Sequence, residues 1–164
     1  MNIKAIILDI DQTLVDTENC NKKYCIHKKF YIKNNTYYLH KRPYIDDLFS
    51  WCCTKNIDII IFSAAYKSYV DYIVEFLFLE HKNKPISVLC ADHLVRHNYI
   101  YTKSLRKVEE ITGISSNNLI SVDDMRDNYI INDDHKKTIY IEPWTWKDDS
   151  DVEILCLIGT LNNI

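Results

Sequence analysis

The sequence predicts an α/β fold: a doubly wound, Rossmann-like parallel sheet with a small β-hairpin insertion after the loop that ends its first strand. Three observations lead there. Short, almost wholly apolar runs at residues 3–8, 57–62 and 119–122 have the length and branched-aliphatic content of strands buried on both faces. Segments with helical spacing separate them, and alternation of this kind builds a parallel sheet covered by helices. Each of the three runs also ends in polar residues: Asp9 and Asp11, then Ser63, then Asp123 and Asp124. Ligands of open parallel sheets collect at the carboxyl ends of the strands.

The elements follow in order. Residues 3–8 are the first strand. Residues 24–32 and 36–40 form a hairpin, with Asn34-Asn35 tolerating left-handed backbone at its turn. Pro43 suits the first turn of a helix that runs through Trp51. The strand at 57–62 precedes a helix at 66–79, where Tyr66, Tyr69, Val70, Ile73, Val74 and Leu77 share one face. A short strand at 86–90 and a helix at 104–112 come next, Gly113 supplying the C-terminal cap. Strands at 119–122 and 138–141 and a helix at 151–161 complete a single domain, 1–164, with the hairpin insertion at about 24–40.

Composition narrows the function classes. Of 164 residues, 47% are apolar and 26% charged, as in ordinary globular proteins. No apolar stretch approaches the roughly 20 residues of a membrane span, and Met1-Asn2-Ile3-Lys4 has no signal-peptide pattern. A cytoplasmic or nuclear location without membrane contact is the expectation. The six cysteines form no regular framework and read as reduced thiols. Cys20, Cys25, His27 and His40 match no common zinc spacing. With two glycines in the chain, Gly-rich phosphate loops are excluded, so side chains and loop amides must hold any phosphate. Net charge is −3, but residues 19–42 hold seven basic side chains and no acidic one, a segment that could attract an anionic partner.

Asp9 and Asp11 lie two residues apart at a strand end. Extended backbone points such residues to one side, and two unpaired carboxylates are too costly to bury together. A divalent cation that neutralises them, or a proton on one of them, resolves the conflict. Asp123-Asp124 alone would read as a helix cap, Ser63 as a turn residue and Lys103 as a surface lysine. Together they suit phosphoryl transfer. One carboxylate attacks phosphorus, a second protonates the leaving oxygen, and a hydroxyl and a lysine stabilise the equatorial oxygens.

The segments Asp9-Ile10-Asp11-Gln12-Thr13-Leu14-Val15, Lys41-Arg42-Pro43-Tyr44-Ile45-Asp46-Asp47-Leu48, Ile61-Phe62-Ser63-Ala64-Ala65, Tyr69-Val70-Asp71, Tyr101-Thr102-Lys103-Ser104-Leu105, Val122-Asp123-Asp124 and Trp144 through Leu155 keep one order along nearly the whole chain. Together they resemble the haloacid-dehalogenase superfamily, whose first motif is Asp-x-Asp-x-Thr/Val. Within it they resemble the small carboxy-terminal-domain phosphatases, or NLI-interacting-factor-like family. The resemblance implies Asp9 as nucleophile, through an aspartyl phosphate, and Asp11 as general acid/base. It implies Mg²⁺ held by Asp9, the backbone carbonyl of Asp11 and Asp123, with Asp124 close by or acting through water. Ser63 would bind phosphate, Lys103 would neutralise it, and Thr13 would support the first loop near Asp11. Two departures bear on substrate. The family's Arg-Gly-Asn step is replaced by Arg96-His97-Asn98-Tyr99-Ile100, and Met125-Arg126 stands where the small phosphatases have Ser-Pro.

The insertion is too short to build a sealing cap, so an open site is expected. Phe30, Tyr31, Tyr37 and Tyr38 could wall an extended, proline-containing peptide, with half of them packing beneath because strand faces alternate. Lys28, Lys29 and Arg96 are candidate substrate contacts. The expected partner is a phosphorylated protein or peptide, and the expected activity is that of a Mg²⁺-dependent phosphoserine/phosphothreonine protein phosphatase. The RNA polymerase II C-terminal domain is a candidate substrate. A small-molecule or nucleic-acid-end phosphatase and a non-catalytic peptide-binding module are the alternatives, nucleic acid being the less favoured partner.

Overall fold

In the computed structural model the apolar run that opens the chain becomes strand β1, Ala5–Leu8, all of it buried. The structure describes residues 2–19, 28–32, 35–129, 131 and 134–164, with 19, 28–32, 35 and 36 by backbone alone. β1 is the middle of a five-stranded parallel sheet. Its neighbours are β5, Asp58–Phe62, and β9, Leu119–Asp123; β6, Ser87–Leu89, and β10, Thr138–Tyr140, form the edges. Leu8 lies opposite Ile61 on one side and Val122 on the other. This register delivers Asp9, Ser63 and Asp123 to the same end of the sheet.

Period-two alternation decides which face each residue serves. Ile6 and Leu8 pack with Ile59, Ile61, Ile120 and Val122 under three helices: α1 (Ile45–Lys55), α2 (Lys67–Phe78) and α4 (Glu153–Leu161). Ala5 and Ile7 face the other way, with Ile60, Phe62 and Leu119, under α3 (Leu105–Thr112). Helices on both faces make the sheet doubly wound, as the strand–helix alternation predicts. Gly113 takes φ 72° and caps α3 through its N–H to the Glu109 carbonyl at 2.8 Å.

The insertion is larger than a hairpin. It is a three-stranded antiparallel sheet ordered β2-β4-β3, with β2 Val15–Asn19, β3 Lys28–Ile32 and β4 Asn35–Lys41. β2 is an edge strand whose only branched aliphatic is Val15, so apolar alternation does not reveal it. Ile32 pairs with Asn35, which puts Asn35 in the ladder and not in the turn. Residues 24–27 and Asn34, part of the expected hairpin, lie outside the described residues, as do Cys20, Cys25 and His27. The four described cysteines are free thiols.

A second hairpin, β7 (Val95–His97) and β8 (Ile100–Thr102), occupies the segment that departs from the family's Arg-Gly-Asn step. Asn98 and Tyr99 turn it with φ of 46° and 70°. A two-residue hairpin turn with both φ positive normally calls for Asn-Gly, and tyrosine in the second place hid it. α1 begins two residues after Pro43, because Tyr44 is left-handed at φ 65° and cannot join the helix. α4 begins after Asp151, whose carboxylate accepts the Glu153 N–H at 3.3 Å.

Candidate active site

The loop after β1 is a tight, left-handed turn. Gln12 takes φ 58°, and the N–H groups of Leu14 and Val15 return to the Ile10 carbonyl at 2.8 and 3.0 Å. The turn sends Asp9 and Asp11 to different surroundings. Asp9 is buried against the sheet, where Lys103 Nζ hydrogen-bonds its Oδ1. The same ammonium donates to Asp123 Oδ2 at 2.6 Å. Asp123 Oδ1 accepts from the Met125 N–H and from Asn128 Nδ2, each at 2.8 Å. The Asn128 carbonyl in turn accepts the Lys103 N–H at 2.8 Å, which fixes the lysine's entry into the site.

Asp9, Asp123 and Asp124 offer carboxylate oxygens that all lie within 4.8 Å of one another. An all-oxygen set of this charge suits a hard divalent cation such as Mg²⁺. The Asp11 carboxylate is not in the set. Its Oδ1 accepts the phenol proton of Tyr69, from the first turn of α2. Thr13, expected near Asp11, donates to Asp124 Oδ1 at 3.3 Å instead, because the left-handed turn carries it past Asp11. Ser63 is buried at the end of β5, and its Oγ accepts the Ala65 N–H at 3.1 Å. That bond leaves the hydroxyl proton to donate elsewhere.

Burial drives the electrostatics. It pushes the Asp9 carboxyl up to about 7, against the nearby Lys103 charge and with help from Asp123. Asp11 is raised by burial, and the Tyr69 hydrogen bond opposes the shift. Asp124 is raised by burial and by the charge of Asp123. Burial alone would lower Lys103, but Asp9 and Asp123 outweigh it and raise the ammonium above its ordinary range. The protein thus supplies one cation against several crowded carboxylates.

Beside Asp11 opens a cavity of about 520 Å³ lined by Asp11, Thr17, Tyr37, Tyr66 and Tyr69, with alanines 64, 65 and 91. Tyr37 therefore faces the site, whereas its neighbour Tyr38 is buried, as strand alternation requires. Arg96 does not line this cavity; it is exposed and stacks on Tyr99, 5.2 Å from the ring centroid. The side chains of Lys28, Lys29, Phe30 and Tyr31 are outside the described residues. Of the seven basic residues in the 19–42 stretch, the two with described side chains are both engaged internally. Lys41 pairs with Asp46 at 2.6 Å, and Arg42 is fully buried in a bidentate pair with Asp151 at 3.0 and 2.6 Å.

Three residues that organise the site had no role assigned from the sequence, although Arg42 and Tyr69 lie in segments that carry the resemblance. Arg42 also donates to the carbonyls of Gln12 and Thr13, each at 3.2 Å, so it clamps the turn that carries both aspartates. Asn128 orients Asp123, and Tyr69 orients Asp11. Arg42 was hidden in a lysine-rich run and Tyr69 in an apolar helix face. The available signal for Tyr69 was its place one turn into the helix after Ser63, at the strand ends where the other site residues meet.

Comparison with known proteins shows the family. The family of NLI interacting factor-like phosphatases matches residues 4–164. Nuclear envelope morphology protein 1 of Saccharomyces cerevisiae is 28% identical, over 96% of this chain and 38% of that protein. A probable C-terminal domain small phosphatase of Dictyostelium discoideum is 25% identical, over 100% of this chain and 51% of its own length. A putative CTD phosphatase-like protein of Invertebrate iridescent virus 6 is 24% identical, with 98% of each chain covered. The chain thus spans about half or less of the cellular relatives' length. Two structures of the RNA polymerase II CTD phosphatase Fcp1 share the fold at 16% and 17% identity, with TM-scores of 0.69 and 0.65; each comparison covers 99% of this chain and 49% of the other. No helix among the described residues is long and apolar enough to cross a membrane.

Proposed function

Because the chain belongs to the NLI interacting factor-like phosphatase family, we propose that it is a Mg²⁺-dependent protein phosphatase that removes phosphate from serine or threonine through an aspartyl phosphate on Asp9. The observation that carries this reading is the shared Lys103. One buried ammonium contacts both Asp9 and Asp123, at the end of the sheet where Ser63 also emerges.

In this reading the Asp9 carboxylate attacks phosphorus, and the bond from phosphorus to the serine or threonine oxygen breaks. Asp11 gives its proton to the departing alkoxide. Lys103 Nζ and the Ser63 hydroxyl offset charge on the equatorial oxygens. Asp11, now ionised, takes a proton from water as that water attacks phosphorus. The bond to Asp9 breaks and phosphate leaves. Asp9, Asp123 and Asp124 would hold Mg²⁺, which when bound supplies the positive charge that lets a phosphate dianion approach these carboxylates.

The open cavity beside Asp11, with Tyr37 and Tyr66 on its walls, supports an extended peptide as substrate over a small metabolite enclosed by a cap. Names of the relatives point to a C-terminal domain for one and to nuclear envelope morphology for another, the structural neighbour Fcp1 is an RNA polymerase II CTD phosphatase, and action in the cytoplasm or nucleus fits each. Hydrolysis should be measured on a phosphoserine and phosphothreonine peptide panel, including polymerase-tail repeats, beside sugar phosphates, nucleotides and phosphorylated nucleic-acid ends. Each set is run with Mg²⁺ and with EDTA. Mg²⁺-dependent preference for the peptides is expected. Preference for nucleic-acid ends or metabolites would replace the substrate class, and no hydrolysis of any ester would leave a peptide-binding module.

A further inference from the structure

We propose that Tyr69 is the positioning residue for Asp11, holding its carboxylate away from the cation-binding oxygens and aiming its second oxygen at the leaving group; this rests on the phosphatase reading above. Asp9 and Asp11 are two residues apart on one loop, yet they have separate environments. Asp9 stands with Asp123 and Asp124 in the cluster whose oxygens lie within 4.8 Å of one another, and Asp11 does not. A carboxylate on the same loop, within electrostatic reach of Asp124, would be drawn toward a cation held by this cluster, and once there it could not deliver a proton. Something must hold Asp11 on the other side.

Tyr69 does so from a different element. Its phenol donates to Asp11 Oδ1, leaving Oδ2 for a substrate oxygen. The phenol has one proton, and that bond uses it. Its oxygen is in turn hydrogen-bonded by Thr17 of β2, the strand that begins the insertion. The chain Thr17–Tyr69–Asp11 therefore ties the acid/base to α2 and to the insertion sheet at once, and all three residues line the cavity beside the site. Thr17 donating to the phenol oxygen on one side, and α2 carrying the ring on the other, set the phenol's direction, which sets the direction of the carboxylate that accepts from it. Orientation of this kind matters in proportion to how much the leaving oxygen needs a proton.

That dependence separates positioning from packing. A leaving group that departs readily as an anion gains little from an acid, whereas a basic one relies on it. The test is the slope of log kcat/KM against leaving-group basicity, for phenyl, para-nitrophenyl and dinitrophenyl phosphates, in wild type and Tyr69→Phe with Mg²⁺ present. Small aryl esters are used so that loss of a peptide contact cannot enter, and kcat/KM reports the phosphoryl-transfer step only. Tyr69→Phe should lose about tenfold or more on phenyl phosphate and less than about threefold on dinitrophenyl phosphate, steepening the line. Equal losses on all three esters would make Tyr69 a structural residue and overturn the proposal, as would an unchanged line. If Tyr69→Phe folds poorly, Thr17→Val carries the same test with the same two outcomes, because it frees the phenol to turn from Asp11. A wild-type protein that hydrolyses none of the esters would instead overturn the phosphatase reading itself.

Discussion

Replacing Lys103 by methionine removes a charge and keeps nearly the volume of a fully buried side chain. In the native site the ammonium contacts Asp9 and lies 2.6 Å from Asp123 Oδ2. Without it, two buried carboxylates and the partly exposed Asp124, with oxygens within 4.8 Å of one another, have no protein cation in contact among the described residues. Removing one partner of a buried ion pair costs about 3–5 kcal/mol. For a chain of this length each kcal/mol moves Tm by about 2–4 °C, so metal-free Lys103→Met should melt roughly 6–20 °C below wild type. Asp9 limits the loss near neutral pH. Burial already pushes its carboxyl up to about 7 against the Lys103 charge. Without that charge it takes up a proton more readily and one repulsion disappears. The deficit should therefore be smallest in mild acid and grow toward alkaline pH.

Mg²⁺ should restore much of this stability and little of the rate. A cation held by the carboxylates offsets their repulsion, but the ammonium is still missing at the phosphoryl oxygens. That loss is worth on the order of 3 kcal/mol, or about a hundredfold in turnover. Thermal unfolding in EDTA and in Mg²⁺, paired with hydrolysis of para-nitrophenyl phosphate, separates the two effects. If Lys103→Met melts at the wild-type temperature in EDTA, the charge-neutralising role is wrong. If it is destabilised yet turns over nearly as fast as wild type with Mg²⁺, Lys103 is a structural counter-ion with no part in catalysis.

Further outcomes can be stated for other residues. Asp9→Asn should abolish turnover with the fold intact, since a neutral amide replaces the nucleophilic carboxylate; retained hydrolysis would remove Asp9 as nucleophile. Beryllium fluoride, present in one solved Fcp1 structure, should protect the wild type against thermal unfolding when Mg²⁺ is added, but not Asp9→Asn. The stability from Asp9 is fully present below its unfolded value of about 4 and is lost as pH rises through about 7, because its folded-state carboxyl is raised by burial. The rise in Tm on adding Mg²⁺ should accordingly be larger at pH 8 than at pH 6, and equal shifts would separate metal binding from Asp9 ionisation. Arg42→Ala strands Asp151 and frees two loop carbonyls, so a loss of about 3–5 kcal/mol is expected in thermal or urea unfolding. Replacing Arg42 and Asp151 together by leucine should recover stability but not turnover, because the aspartate-bearing turn has lost its clamp.

The sheet and the strand-end residues were legible because they rest on short-range signals. Ala5 to Leu8 and Leu119 to Val122 are short, largely apolar runs, and parallel register at the centre of the sheet then brings Asp9 and Asp123 together without further information. The residues that orient the carboxylates were not legible in this way. Tyr69 reaches Asp11 across 58 positions and Arg42 reaches Asp151 across 109. Neither link leaves a local pattern, and each residue fits a duller role in its own segment. The second hairpin failed for a local reason: Asn98 and Tyr99 adopt positive φ without the glycine that normally announces such a turn.

The partners of the four carboxylates differ in a way that matches the chemistry proposed for each. Asp9 and Asp123 share a charged donor, Lys103, whose charge opposes the rise that burial imposes on the Asp9 carboxyl. That suits a nucleophile and a cation ligand. Asp124 has a hydroxyl donor, Thr13, and is partly exposed. Asp11 has a neutral phenol, which fixes direction while contributing far less to ionisation than an ammonium would. Burial keeps the Asp11 carboxyl raised, so it can hold a proton until a leaving oxygen needs one. Exchanging the two partners would defeat both roles: a lysine against Asp11 would hold it ionised, and a phenol against Asp9 would leave the nucleophile protonated for much of the time. The fold enforces the division by drawing the two donors from opposite faces of the sheet. Lys103 enters at the start of α3, and Tyr69 enters from the first turn of α2.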